Sequence, residues 1–542
     1  MTTGMFPPSL RDNFLPLIFS TVNREPSTVN CNSTLYLMMI THLGAKNCVT
    51  GSCHLLQTAG ANILVDCGSA YGNDPELPFD RFPAQPGEID YLFLTHAHID
   101  HIGRVPDLID AGFRGEIICT HATKALLIPM LHDAMSFSDR TGKEINRMEK
   151  LIDDLSWGFE LHDTFSLKQG ITLKMKNAGH ILGSCFIRFE IPMEGTHGDM
   201  TRFSMGDMTR FSPIKSGSCP QKRGKDGSCP KRSHVEPSTV NCTSQPSTVN
   251  RKPFSIIFSG DLGCTDTPIL PDPDPPDTCD LLVMESTYGD RNHTGRKDRV
   301  ATLKKLLQKA LADKGIVYIP AFSLGRTQEL IYEIDRIGDM TSGDMTSGDM
   351  TRRSLPGFRQ PSTVNRKPFS RTENKIPVFI DSPLGLKITK IYSDLEQYWD
   401  KEAKDLKARG DHPIDFKNLY SVEKYRDHKK LLDIKGPAII IAGSGMCTGG
   451  RIVDHLKHGL QDSANDIFFV GYQAKGTPGR RMIDKQIPVK AGIHTLTGYS
   501  AHADQNTLIN WVKSMPQPPK EIRLVHGEDH ARQTLAKKLE RI

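Results

Sequence analysis

The chain has 542 residues, 37% hydrophobic and 24% charged, with a formal charge of +5. That length allows two or three domains and a large core. So small a net charge excludes nucleic-acid binding through bulk charge alone; a local patch would have to do it. None of the 12 cysteines forms a Cys-x-x-Cys pair, and Cys67, Cys119, Cys185 and Cys447 sit in apolar or Gly-rich runs. They read as buried thiols in a reducing compartment, not as a disulfide framework. The apolar stretch 13–20 is short and contains Pro16, so it is not read as a signal peptide. No run reaches the roughly 18–20 apolar residues of a membrane span. A cytoplasmic protein with no membrane partner is expected.

Residues 1–34 lack pattern and are expected to be a poorly ordered extension. A strand is predicted over 35–41, a Gly-containing turn over 44–52, and a hairpin from 54–56 and 61–68, with Asp66 at its end. The short apolar run 89–94 reads as a buried strand, and it feeds directly into Thr95-His96-Ala97-His98-Ile99-Asp100-His101. Four metal-competent side chains thus fall within six residues, in the turn between a strand and a helix. Two histidines one residue apart can share one ion, and Asp100 with His101 can hold a second.

Further on, 115–120 is a predicted strand and 122–157 has helical period. A strand over 171–176 leads to His180, which lies between Gly179 and Gly183. The strand 186–191 should pair as a hairpin with 254–259, which ends in Gly260-Asp261-Leu262-Gly263. Another buried strand ends in Glu285-Ser286-Thr287-Tyr288-Gly289-Asp290-Arg291. Beyond a basic helix over 296–313, three strand-turn units follow: 315–330 with Gly325 and Arg326, 376–384, and 437–451 with Ser444 in a Gly-rich loop. Alternating strand and helix predicts a parallel α/β domain with its loops along one edge. A helix start with glycine and arginine suits a phosphate. The chain then passes Arg480-Arg481, Ser500-Ala501-His502-Ala503-Asp504 and Leu524-Val525-His526-Gly527, the last read as a closing strand and turn.

Three segments, about 22–33, 194–252 and 338–373, share short repeats. Pro-Ser-Thr-Val-Asn occurs at 26–30, 237–241, 246–250 and 361–365, and Gly-Asp-Met-Thr recurs in the second and third. The units are too short and polar for a solenoid. Their composition predicts disorder, and we read them as insertions at loop positions. A rival reading makes the second a basic arm, because Lys222, Arg223, Lys225, Lys231 and Arg232 cluster there.

Thr95–His101 resembles the signature of the metallo-β-lactamase fold. Glu285–Arg291 resembles the first motif of its β-CASP branch, and Ser500–Asp504 resembles the last. The chain is similar to β-CASP nucleases of RNA processing, and looks like a bacterial-type relative of the endonuclease subunit of the eukaryotic cleavage and polyadenylation factor. Ribonuclease J resembles it more distantly. The resemblance implies an α/β fold, a four-layer αββα metallo-β-lactamase sandwich over 35–290 with an inserted β-CASP α/β domain over 291–474, completed by 475–542. It implies two Zn2+ per chain, one on His96, His98 and His180, the other on Asp100, His101 and His502, with Asp261 between them. Asp66 would support the metal loop without being a principal ligand. Asp100, Glu285 and His502 would serve catalysis, with Glu285 orienting His502 or a neighbour. Arg326, Ser444, Arg480 and Ser500 are the expected substrate contacts. The family often has a histidine where Arg480 and Arg481 stand, so the general acid is left unassigned; arginine is a poor acid.

The implied activity is hydroxide attack on a phosphodiester of single-stranded RNA, with a homodimer left open. Two other classes share parts of the pattern. A small-molecule metallohydrolase such as a thioesterase could use the same metal motif, but the motifs at Glu285 and His502 count against it. An inactive RNA-binding scaffold is opposed by the intact set of ligands.

Overall fold

The computed structural model describes residues 38–193 except 59 and 73, 252–337 and 376–541. The N-terminal extension and nearly all of the repeat-rich segments lie outside the described residues.

Period-two alternation builds the first sheet. It runs β1 (Met39–Gly44), β2 (Cys53–Gln57), β3 (Asn62–Val65), β4 (Tyr91–Phe93), β5 (Glu116–Thr120) and β6 (Ser156–Phe159), in that spatial order. Leu55, Leu64, Leu92 and Ile117 pack toward helices that contribute Leu126, Leu131 and Ile152. Their neighbours Leu56, Ile63, Phe93 and Ile118 turn the other way, onto a second sheet. That sheet contains β7 (Thr164–Ser166), β8 (Thr172–Asn177), β9 (Cys185–Ile191), β10 (Phe254–Phe258) and β11 (Leu281–Glu285). Phe93 meets Phe189 edge to face across the interface, with ring centroids 5.1 Å apart; burying one such ring contributes about 1.5–3 kcal/mol. The outer face of the second sheet presents Phe186, Ile257, Leu282 and Met284 to Leu508, Trp511 and Leu535 of two late helices. The layers are therefore helix, sheet, sheet, helix.

β9 and β10 pair antiparallel, as the hairpin reading requires, although 62 residues separate Ile191 from Phe254. Two boundaries differ from expectation. β1 starts at Met39, and the segment predicted helical to 157 stops at Leu155, because Ser156 turns extended and pairs with Ile117 of β5.

The third sheet contains β12 (Ile316–Pro320), β13 (Val378–Asp381), β14 (Leu419–Ser421), β15 (Ala438–Ala442), β16 (Asp466–Phe469) and β17 (Gly492–Thr495). Its spatial order is β14-β13-β15-β12-β16-β17, and every pairing is parallel. Its inner strands are fully buried, which accounts for their unbroken apolar runs. The third sheet thus runs on to Thr495. The return to the second sheet is β18 (Glu521–Val525), which pairs parallel with β11. A single apolar cluster includes Leu126 and Leu131 of the first domain with Ile319, Ile380 and Ile441 of the third sheet, so the two domains share core.

Because all six strands are parallel, the loops after them gather along one edge, where such sheets bind ligands. One member of that edge is structural. Asp381 is fully buried and accepts hydrogen bonds from His428 Nδ1 at 2.6 Å, His455 Nε2 at 2.5 Å and the Arg451 guanidinium at 2.7 Å. Burial pushes its carboxyl up, but His455, His428 and Arg451 outweigh this and hold it below the usual carboxylate range. Arg451 also donates to Val422 O and Glu423 O. Asp381→Asn leaves that guanidinium without its counter-charge and is expected to cost about 3–5 kcal/mol, seen as a lowered urea midpoint. An unchanged midpoint would show that the hub carries no stability.

Candidate metal centre

The turn after β4 is held from behind. Asp66, at φ 60°, accepts Thr95 N at 2.8 Å and Ser52 Oγ at 3.2 Å. It also accepts His101 Nδ1 at 2.7 Å, which leaves His101 Nε2 free to coordinate. Ser52 N and Cys67 N donate to the carbonyls of Asp100 and His101, both at 2.8 Å. Gly68 packs directly on Asp100 O, and a Cβ there would lie only 1.6 Å away, so no other residue fits. The short helix Ile99–Ile102 follows with His98 as its N-cap.

Two groups of ligand atoms converge around Asp261. On one side His96 Nε2 and His180 Nε2 each lie 3.1 Å from His98 Nδ1, and both lie 3.6 Å from Asp261 Oδ2. On the other, His101 Nε2 is 3.3 Å from Asp261 Oδ1 and 3.2 Å from His526 Nε2. His526 Nε2 is 3.6 Å from both Asp100 Oδ2 and Asp261 Oδ1. A tetrahedron of ligands with bonds of about 2.05 Å has edges of roughly 3.3 Å, so these separations suit coordination of a shared ion. The Asp381 cluster, at 2.5 and 2.6 Å, is hydrogen-bonded instead. Asp261 Oδ1 is buried with no hydrogen-bond partner, as expected of an oxygen that serves a cation.

The electrostatics agree. Burial pulls His98 down to about 4, and His96 and His180 well below the ordinary imidazole range. Neutral imidazoles are the ligand form. In the second group burial opposes protonation too, but Asp261 and Asp66 push His101 up, and Asp261 and Asp100 push His526 up. Carboxylate charge there exceeds what neutral histidines balance, and a divalent cation satisfies it.

His502 stands apart from both groups. Its Nδ1 faces Glu285, 3.4 Å from Oε1 and 3.3 Å from Oε2, and lies 3.7 Å from Asp261 Oδ2. Burial lowers its pKa, but Glu285 and then Asp261 outweigh this and hold it at about 9. Glu285 is itself buried and accepts Leu262 N at 2.6 Å. The His502 ring lies 4.5 Å from that of His180.

Residues 47–320 match the family described as Metallo-beta-lactamase superfamily, 364–482 the Beta-Casp domain and 486–542 the Zn-dependent metallo-hydrolase RNA specificity domain. A protein of Thermus thermophilus named Ribonuclease TTHA0252 is 30% identical over 93% of this chain and 96% of its own length. The chain belongs to the β-CASP branch of the metallo-β-lactamase superfamily. Proteins named Transcription termination factor FttA are also similar to this β-CASP chain. That of Methanocaldococcus jannaschii is 26% identical over 91% of this chain and 67% of its own length. That of Methanosarcina mazei is 25% identical over 96% and 71%.

The β-CASP chain brings His96, His98, His180 and Asp261 together as the sequence reading expects, and Asp100 with His101. It differs at one position: the histidine beside Asp100 and His101 is His526, where the sequence reading expected His502. The reason is topological, since β18 pairs with β11 and seats His526 directly after the strand. Leu-Val-His-Gly has the same grammar of strand, polar residue and nearby glycine as Asp66 and Asp261, which was the available signal. Substrate contacts fare differently. Arg326 is buried and paired with Glu329, so its charge is spent internally. Ser444 Oγ accepts Thr448 N within its own loop, while Arg480 is exposed and held by Asp484 at 2.9 Å. Ser500 Oγ donates to the His502 carbonyl at 3.5 Å. Exposed Phe322 and Tyr472 sit on the loops after β12 and β16, among these groups. The eight described cysteines are free, and seven are buried. Among the described residues no helix is long and apolar enough to cross a membrane.

Proposed function

We propose that this chain is a zinc-dependent ribonuclease that cuts single-stranded RNA internally with two Zn2+ per chain. The observation that carries this reading is Asp261, whose two oxygens face two separate sets of ligands. His96, His98 and His180 would hold one ion, and Asp100, His101 and His526 the other. When bound, such a pair lowers the pKa of a shared water toward neutrality and stabilises charge on the phosphodiester.

The chain's own residues do the rest. His502 sits at the rim of the centre with its Nδ1 turned to Glu285, which leaves Nε2 to donate a proton to the departing 3′ oxygen. Glu285 holds the His502 ring by its Nδ1 and favours its protonated form. This gives the reaction the general acid that Arg480 and Arg481 could not supply. Cleavage then leaves a 5′-phosphate and a 3′-hydroxyl. Arg480, Ser500 and the exposed rings of Phe322 and Tyr472 line the approach, where stacking and backbone contacts suit a single strand of varied sequence.

The test is end-labelled single-stranded RNA beside the same DNA sequence, with wild type and His98→Ala. Internal RNA cuts that require zinc and vanish in the variant are expected. A folded, zinc-loaded protein that leaves RNA intact would overturn the reading.

A further inference from the structure

The segment that carries His502 is held from two sides. After β17 the chain leaves the third sheet and crosses to the metal centre. On the far side, backbone bonds fix it to the loop after β10: Ala503 N donates to Leu262 O at 2.7 Å, and Cys264 N to Ala501 O at 3.2 Å. On the near side the anchor is a side chain. Tyr499 is buried, and its hydroxyl donates to Glu333 Oε2 at 2.5 Å. Glu333 lies on the helix Arg326–Ile337 of the β-CASP domain, buried, and its other oxygen accepts Arg299 Nε at 2.7 Å. The Arg326 guanidinium lies 5.5 Å from the Tyr499 ring centroid. The Arg296 guanidinium donates to the carbonyls of Gly498 and Ser500 and to Thr265 O. No atom of Tyr499, Glu333 or Arg299 is a ligand of either metal group.

This buried phenol is an expensive way to hold a loop. Burial, then Glu333, push its pKa well up, so it stays a donor at all working pH values. A Phe would fill the same space at no cost in desolvation of the hydroxyl. The hydroxyl adds one directed contact, three residues before His502, between the β-CASP helix and the segment bearing the proton donor.

We propose that Tyr499, held by Glu333 and Arg299, is a positioning residue that sets His502 against the leaving oxygen, so that proton donation depends on how the β-CASP domain is seated. The proposal rests on the reading of His502 as the acid. Proton transfer needs the donor within about 3 Å of its target, and misplacement by about 1 Å can cost on the order of 100-fold.

The experiment uses the full-length chain and a short RNA with one cleavage site, in two forms. One has the natural bridging 3′ oxygen; the other has sulfur there, which departs as a thiolate without needing a proton. Tyr499→Phe is expected to lower kcat on the oxygen substrate by roughly 10–100-fold, with KM and zinc content unchanged. On the sulfur substrate it should stay within about threefold of wild type. Glu333→Gln keeps the shape and an acceptor oxygen, and should show the same selectivity with a smaller loss; it serves if Tyr499→Phe is poorly folded. Equal losses on both substrates would show that the contact merely supports the fold, and no loss on either would also overturn the proposal. His502→Ala separates the two layers of the argument. If it loses equally on both substrates, the reading of His502 as acid fails, whatever Tyr499 does.

Discussion

Asp261→Asn is expected to cost on the order of 10³-fold in kcat and to take bound zinc below two per chain. The carboxylate lies between His96 and His180 through one oxygen and between His101 and His526 through the other. The amide keeps the shape but offers N–H donors to one side, where imidazole nitrogens already converge, and removes a negative charge shared by both groups. Burial raises its pKa, yet His526, His101 and His502 hold the carboxyl well below its usual range, so the surroundings favour the anion. Loss of several kcal/mol of charge stabilisation corresponds to a rate loss of about this size. Zinc content by mass spectrometry and single-turnover cleavage check it. A folded variant that keeps full zinc and near-native cleavage would mean that Asp261 does not bridge.

His502→Gln and His526→Ala should fail in opposite ways. His526 belongs to the second ligand group, so its loss should remove zinc together with activity. His502 faces Glu285 instead, and His502→Gln should keep both ions while kcat falls roughly 10²–10⁴-fold, the usual worth of general acid–base catalysis. Zinc content separates the two variants even though both lose cleavage. Should His502→Gln lose an ion and His526→Ala keep both, the assignment drawn from the structure would be reversed.

The contrast between these two histidines marks the limit of the sequence. Apart from two element boundaries, the local features were legible. Thr95 to His101 puts its ligands at a strand end because β4 is a short buried run and Gly68 lets the turn close. His180 and Asp261 lie beside glycines that permit the positive φ of tight turns. The apolar alternation of β2 to β5, with the unbroken runs of β12, β13 and β15, marks a two-faced sheet followed by a parallel one. These features depend on a few neighbouring dihedrals and on which face is apolar, so sequence alone determines them.

Only the tertiary structure decided which late histidine reaches the second group. His502 and His526 both follow strands, but β17 ends the third sheet and β18 enters the second beside β11. That choice is made by strand pairing across more than 200 residues, which no local pattern encodes. Burial is decided in the same way for Arg326, which was expected to meet phosphate and is instead buried. Its partner Glu329 is only one helical turn away, but that both lie inside the core is known only once the domains have closed around them.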